Sequence, residues 1–157
     1  MPGKVMGTAV PVGFAGNVTR TAGIVMTRPA AAVIAFGAPV VLQSDNTVRP
    51  FGASHAASDF LGVAVRTVKE AADGEGYAEG DAADVLEKGC VAVRCMKGTP
   101  TAGGAVYIRT TANSSYPDAP VGGFEAEADT GKTAALTGAV WTTGHMDARR
   151  IAELTIR

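Results

Sequence analysis

Leucine is scarce in this 157-residue sequence, with only 5 copies, and the charged fraction is 18%. Helical domains draw on leucine, glutamate and lysine, so this shortage argues against a helical bundle. Charge of one sign is also missing: 14 Lys+Arg against 15 Asp+Glu give a net charge of -1. That balance argues against a protein held to nucleic acid by phosphate neutralisation. No apolar run approaches the ~20 residues that a membrane-spanning helix needs. The first sixteen residues carry one lysine and are broken by Pro2, Gly3, Gly7, Pro11 and Gly13, which makes a poor signal peptide. Aromatics reach 6%, with one tryptophan, so no aromatic platform for sugars or bases is evident. Cysteine is limited to Cys90 and Cys95, an odd offset that puts the two on opposite faces of a strand, where they cannot bridge. Their spacing fits no zinc pattern, and two buried or half-buried thiols in a reducing compartment are expected.

What is abundant points one way. There are 29 Ala, 20 Gly, 18 Val and 16 Thr. Val and Thr suit pleated strands, and Gly with Pro punctuates turns. The expectation is an all-β protein of one domain, a compact β-barrel or jelly-roll-like sandwich. Residues 1–31 differ from the rest. They have no sustained period and many breakers, and read as an extended N-terminal arm on a β domain over 32–157.

Within that domain, 38–43 and 47–51 form a hairpin around Ser44-Asp45-Asn46. Residues 60–68 alternate, with Leu61, Val63, Val65 and Thr67 as the core face. The polar 69–82 stretch reads as a solvated acidic loop. Residues 83–87 and 89–96 read as a hairpin turning at Lys88-Gly89, with Val91, Val93 and Cys95 on one face. Further strands are expected at 105–110, 121–128, 135–142 and 149–156, the last with a bulge near Ala152-Glu153 because Ile151, Leu154 and Ile156 do not share one face. The best helical candidate is 53–59, of two turns at most.

The candidate chemistry is weak throughout. Thr130-Gly131-Lys132-Thr133 ends like a phosphate-binding loop, but position 126 is alanine where the first glycine is needed, and Glu125, Glu127 and Asp129 would repel phosphate. Ser54, His55 and Asp59 superficially suggest a triad, without the strained elbow such a site requires. His145 falls in a turn. Carboxylates at 70–87 and 125–129 lack the calcium-loop pattern. The arginines at 20, 28, 49, 66, 94, 109, 149 and 150 are dispersed and form no basic stripe. The sequon matches at Asn17 and Asn113 carry no weight without secretion.

A second kind of signal lies in the order of the motifs. These run from Gly13-Phe14-Ala15-Gly16-Asn17-Val18-Thr19-Arg20, through Phe36-Gly37-Ala38-Pro39-Val40-Val41-Leu42 and Phe60-Leu61-Gly62-Val63-Ala64-Val65-Arg66, to Asp84-Val85-Leu86 and Gly89-Cys90-Val91-Ala92-Val93. They end with Gly103-Gly104-Ala105-Val106-Tyr107-Ile108-Arg109, Gly122-Gly123-Phe124-Glu125 and Ala139-Val140-Trp141-Thr142-Thr143-Gly144. In this order and spacing the chain resembles the structural cement, or head-decoration, proteins of tailed bacteriophages. That resemblance implies a non-enzymatic virion protein with no cofactor and no metal, made in the host cytoplasm and bound to the outer surface of the head. Its implied partners are the phage major capsid protein and itself, as a homodimer or homotrimer on local symmetry axes, with no direct nucleic acid and no membrane.

An apolar arm suits such a clamp, because an extended segment gains backbone hydrogen bonds at a neighbour's sheet edge. The expected capsid or inter-subunit contacts are Val10, Val12, Phe14, Asn17, Arg20, Ile24 and Arg28, unless the arm instead folds onto its own barrel. The alternative is a receptor- or glycan-binding β-module on the virion surface, which would show exposed aromatics in the 51–60 or 107–124 loops.

Overall fold

The computed structural model describes residues 13–20, 23–66 and 76–157. The expected contacts Val10 and Val12, and most of the acidic 69–82 stretch, lie outside the described residues. The protein is all-β. Its strands are β1 (Ile24–Pro29), β2 (Ile34–Ala35), β3 (Pro39–Leu42), β4 (Val48–Pro50), β5 (Phe60–Ala64), β6 (Gly76–Tyr77), β7 (Ala82–Lys97), β8 (Ala105–Arg109), β9 (Phe124–Glu125), β10 (Thr133–Met146) and β11 (Ile151–Ile156). The 53–59 helical candidate amounts to one 3-10 turn, Ala57–Asp59, whose Asp59 carboxylate accepts the Ala56 amide.

Five strands close a barrel. Around it run β7, β11, β10, β8 and β9, and the β11–β7 pairing joins the ends. All neighbours are antiparallel except β7 and β9. Closure removes the exposed edges that an open sheet would present. The interior is filled by Val91, Val93 and Cys95 from β7, Val106 and Ile108 from β8, Trp141 from β10, and Ala152, Leu154 and Ile156 from β11. Trp141, the largest of these, is fully buried.

The first half of β7 extends beyond the barrel and carries a second layer. There β5, β3 and β4 follow in order, and β1 pairs with β7 separately. A smaller core of Ile34, Phe36, Val40, Val48, Ala64, Tyr77 and Val85 sits in this region. Tyr77 donates its hydroxyl to the Val65 carbonyl at 2.6 Å and meets Phe36 edge to face. The β3–β4 hairpin turns as the sequence indicates: the Asp45 carboxylate accepts both the Thr47 amide and hydroxyl, and Asn46 takes a positive φ of 69°.

Four local expectations are corrected. The hairpin at Lys88-Gly89 is instead one 16-residue strand, β7. Gly89, at φ 126°, is a point of close approach: a Cβ there would press on the Cα of Gly23 as the N-terminal segment crosses. On β5 a register shift between the Val40 and Val41 pairings puts Phe60, Val63 and Val65 in the barrel core and Leu61 against the second core, so Leu61 leaves its expected face. The strand at 121–128 shrinks to two residues, because Gly122 turns with positive φ and donates its amide to the Arg109 carbonyl. In β11 the pairing with β7 is unbroken from Ile151 to Ile156, and the irregularity sits in β10 between Trp141 and Met146. A strand paired on both sides and buried on both faces does not show a period of two.

Candidate interaction surface

The N-terminal residues are laid along β7. The Gly16 amide donates to the Ala92 carbonyl, the Ala92 amide to the Asn17 carbonyl, and the Thr19 amide to the Cys90 carbonyl, at 2.8, 2.9 and 3.1 Å. Asn17 also bridges Arg66 at the end of β5. Past the crossing at Gly23, β1 pairs with residues 82–88 of β7. Arg20 donates to Glu153 at 2.7 Å, and Arg28 to Glu87 at 2.9 Å and to the Asn46 side chain. Both expected contact arginines are thus engaged within the chain. Arg20 keeps 58% of its side chain exposed and Arg28 15%.

This tract carries several exposed apolar side chains. Ile24, Val25 and Met26 are 51%, 38% and 44% exposed, and Val18 and Phe14 are exposed with them. An uncovered apolar strand at a sheet margin is a template for pairing with another chain.

Phe14 leads to a second feature. Its ring lies between two guanidinium groups, Arg149 at 4.8 Å and Arg66 at 5.8 Å, and Arg66 also stacks on Phe36 at 4.6 Å. Arg149 donates to the Gly13 carbonyl and Arg66 to the Ala15 carbonyl. These groups border a groove of about 550 Å³, which Arg94 and Phe51 also line. Three arginines far apart in the sequence therefore line one groove.

Val121, Gly122 and Phe124, which also line the groove, belong to a segment pinned by a buried ion pair. Arg109 and Glu125 are both inaccessible to solvent and pair bidentately, Nε to Oε1 at 2.5 Å and Nη2 to Oε2 at 3.0 Å. Arg109 also donates to Asp129, which accepts from Asn113. Sequence reading missed this network. A signal was present in the charged residues set directly after apolar Ile108 and Phe124, but nothing in it specifies that they meet.

Donation by Asn113, then by Arg109, holds the Asp129 carboxyl below the ordinary aspartate range. For Asp147, burial pushes upward, but the Ile151 amide and the Arg149 guanidinium and amide outweigh it and lower the pKa. Depressed folded-state values mean that the unfolded chain takes up protons first, so both groups stabilise the fold above the ordinary pKa of about 4 and lose that effect as the pH falls through their own lower values. The melting temperature is expected to hold from pH 7 to about 5 and fall below about 4, with a shallower fall in Asp129→Asn. A flat profile to pH 2.5 would refute the assignment.

The other candidates do not assemble into sites. His55 accepts the Gly52 amide at Nδ1 and lies against Phe51, within its own turn, and His145, expected in a turn, is instead exposed near the end of β10. The Thr130–Thr133 loop is a tight turn leading into β10, not a hairpin, and in it the Thr133 hydroxyl accepts the Asp129 amide. Burial pushes the Cys95 thiol up, against a smaller opposing pull from Arg150, which leaves it protonated and inert at neutral pH. Among the described residues no His/Cys/Asp/Glu cluster could hold a metal ion, and no helix is long and apolar enough to cross a membrane. In the 51–60 and 107–124 loops Tyr116 is the one large exposed aromatic among the described residues, and it is covered in part by Lys97 at 4.4 Å.

Comparison with known proteins bears on the fold and the family. No curated protein matches the sequence. A chain from a solved structure, the capsid of Myoviridae phage XM1, shares the fold with a TM-score of 0.71 at 16% identity, covering 96% of this chain and 94% of that one. The family model described as structural cement protein (E217 gp24/Pam3 gp6) matches residues 1–157. An all-β chain with a bare apolar margin, matched over its whole length by that model, belongs to the structural cement protein family of phages, and its role is a structural one in the capsid.

Proposed function

We propose that this protein binds the outer surface of the major capsid shell and clamps adjacent capsomers against the outward pressure of packaged DNA, without catalysing a reaction. The observation that carries this reading is the edge strand β1, paired with β7 along one side, on which the consecutive apolar residues Ile24, Val25 and Met26 are all uncovered. In this reading residues 1–31 are the docking element, 32–157 the body, and the partners are capsid protein and sister copies on a local symmetry axis. A clamp that touches several subunits gains by avidity, because each weak patch raises the effective concentration of the next.

The test is co-sedimentation with undecorated, expanded capsids of its own phage. Saturable binding at a symmetry-related ratio, with a raised melting temperature of the shell, is expected; no binding at micromolar concentration overturns the proposal. Removing residues 2–20 would also strip the Gly16, Asn17 and Thr19 bonds to β7, so point changes are cleaner. The double variant Ile24→Asp/Met26→Asp is expected to weaken capsid binding at least ~10-fold, since burying unpaired carboxylates in a contact is costly, while the melting temperature barely moves at these exposed sites. Unchanged affinity would remove β1 from the interface.

A further inference from the structure

The groove beside Phe14 carries an inference about what the shell offers in return. Arg66, Arg94 and Arg149 line it, and no carboxylate does. Asp147, bonded to Arg149, is the one acid paired with these arginines among the described residues. Arg94 is exposed and has no hydrogen-bond or ion-pair partner among the described residues, unlike Arg20, Arg28 and Arg109. The remaining lining is apolar, including Phe36, Phe51, Pro39 and Val121. Arg149, stacked on Phe14, bonds Asp147 and Gly13 through Nε and Nη2 and keeps Nη1 open among the described residues, while Arg94 presents its whole N–H fork for bidentate pairing with a carboxylate.

We propose that this groove receives an extended segment of the major capsid protein that carries Asp or Glu side chains next to apolar ones. The acids pair with Arg94 and Arg149, and the apolar side chains settle against Phe36 and Phe51. This rests on the capsid-binding reading above and adds the chemistry of the partner. A peptide suits the groove better than a phosphate backbone does. Most of the lining is hydrocarbon, and the chain as a whole is at net charge -1, without the excess of cations that nucleic acid binding draws on.

Three experiments on the full-length protein separate the outcomes. In co-sedimentation with expanded capsids, Arg94→Gln/Arg149→Gln should lower affinity at least ~10-fold and flatten the salt dependence seen with the wild type, as expected when desolvated charge pairs are lost. Wild-type binding that survives unchanged in this variant overturns the groove proposal alone, whereas wild-type protein that never binds overturns the capsid reading beneath it. Because Arg149 also bonds Asp147 and Gly13, the single variant Arg94→Gln, which breaks no bond, must show the same direction. Finally, Arg94→Lys places a primary amine at the same position for zero-length carbodiimide coupling on the capsid. An amide bond to an acidic residue of the capsid protein, located by mass spectrometry, is expected. Coupling only to carboxylates of this chain, or an oligo-dT that binds with the same dependence on Arg94 while no capsid coupling forms, would overturn the assignment.

Discussion

Glu125→Ala is expected to lower the unfolding free energy by about 3–5 kcal/mol, which for a chain of this size is a fall of roughly 6–20 °C in melting temperature. The side chain is fully buried and takes two hydrogen bonds from Arg109, itself fully buried. Removing the acid strands a guanidinium that cannot lose its proton, with only the partly exposed Asp129 and the Thr111 carbonyl left to face it. The pair need not be a large net stabiliser. Replacing both partners with apolar residues, as in Arg109→Met/Glu125→Leu, should recover much of the loss, since the pair's attraction roughly offsets its desolvation. Urea denaturation of the two variants decides the matter: a loss under ~1 kcal/mol in Glu125→Ala would mean that solvent reaches the site. Capsid binding should weaken along with stability. The Gly122 amide and Gly123 carbonyl bond the Arg109 backbone, and both glycines belong to the groove wall.

Gly62→Ala is expected to cost about 3 kcal/mol, at the upper end for an added methyl in a packed core, despite adding only one carbon. A Cβ on Gly62 would collide with the Leu86 carbonyl oxygen and come within 2.9 Å of its carbon. Both obstacles are backbone of β7, so no rotamer change relieves them. The clash falls where β5 joins β7 through the Val63–Leu86 and Ala64–Val85 pairs, the seam between the barrel and the second core. Gly80→Ala is the matched control for a glycine with open space, although its positive φ adds a modest cost of its own. A loss in Gly62→Ala no larger than in Gly80→Ala would show that the β7 backbone gives way and that the clash at the seam does not set the effect.

The sequence conveyed the class of fold and several local pieces. The β3–β4 hairpin was legible because Asp45 and Asn46 carry their own turn chemistry. Val91, Val93 and Cys95 were legible as one face because β7 is regular there. Where two strands cross, the signal inverts. Gly89 reads as a turn in one dimension, yet it is glycine because another segment passes over it. Strands buried on both faces, β5 and β11, hide their period for the same reason that they are central. The candidate site was less legible than the fold. Phe14 and Ile24 are exposed, whereas Arg20 and Arg28 turn to acids of their own chain. Arginines that look dispersed converge because positions 66, 94 and 149 come to line one groove. Such convergence is a product of topology, and spacing along the chain does not encode it.

The closing of the barrel by β11 has a consequence for the timing of the protein's life in the infected cell. Chains emerge from the ribosome in sequence order, and β7 waits for a partner that is made more than fifty residues later. Until Ile151–Ile156 arrive, the sheet is open and its apolar inner surface is on display, a window in which nascent chains are prone to stick to one another. Arg149 and Ile151, which border the groove, arrive with that closing strand. The surface proposed to meet the shell is therefore finished only when the fold is, so an incompletely made or incompletely closed copy lacks the means to occupy a place on the capsid.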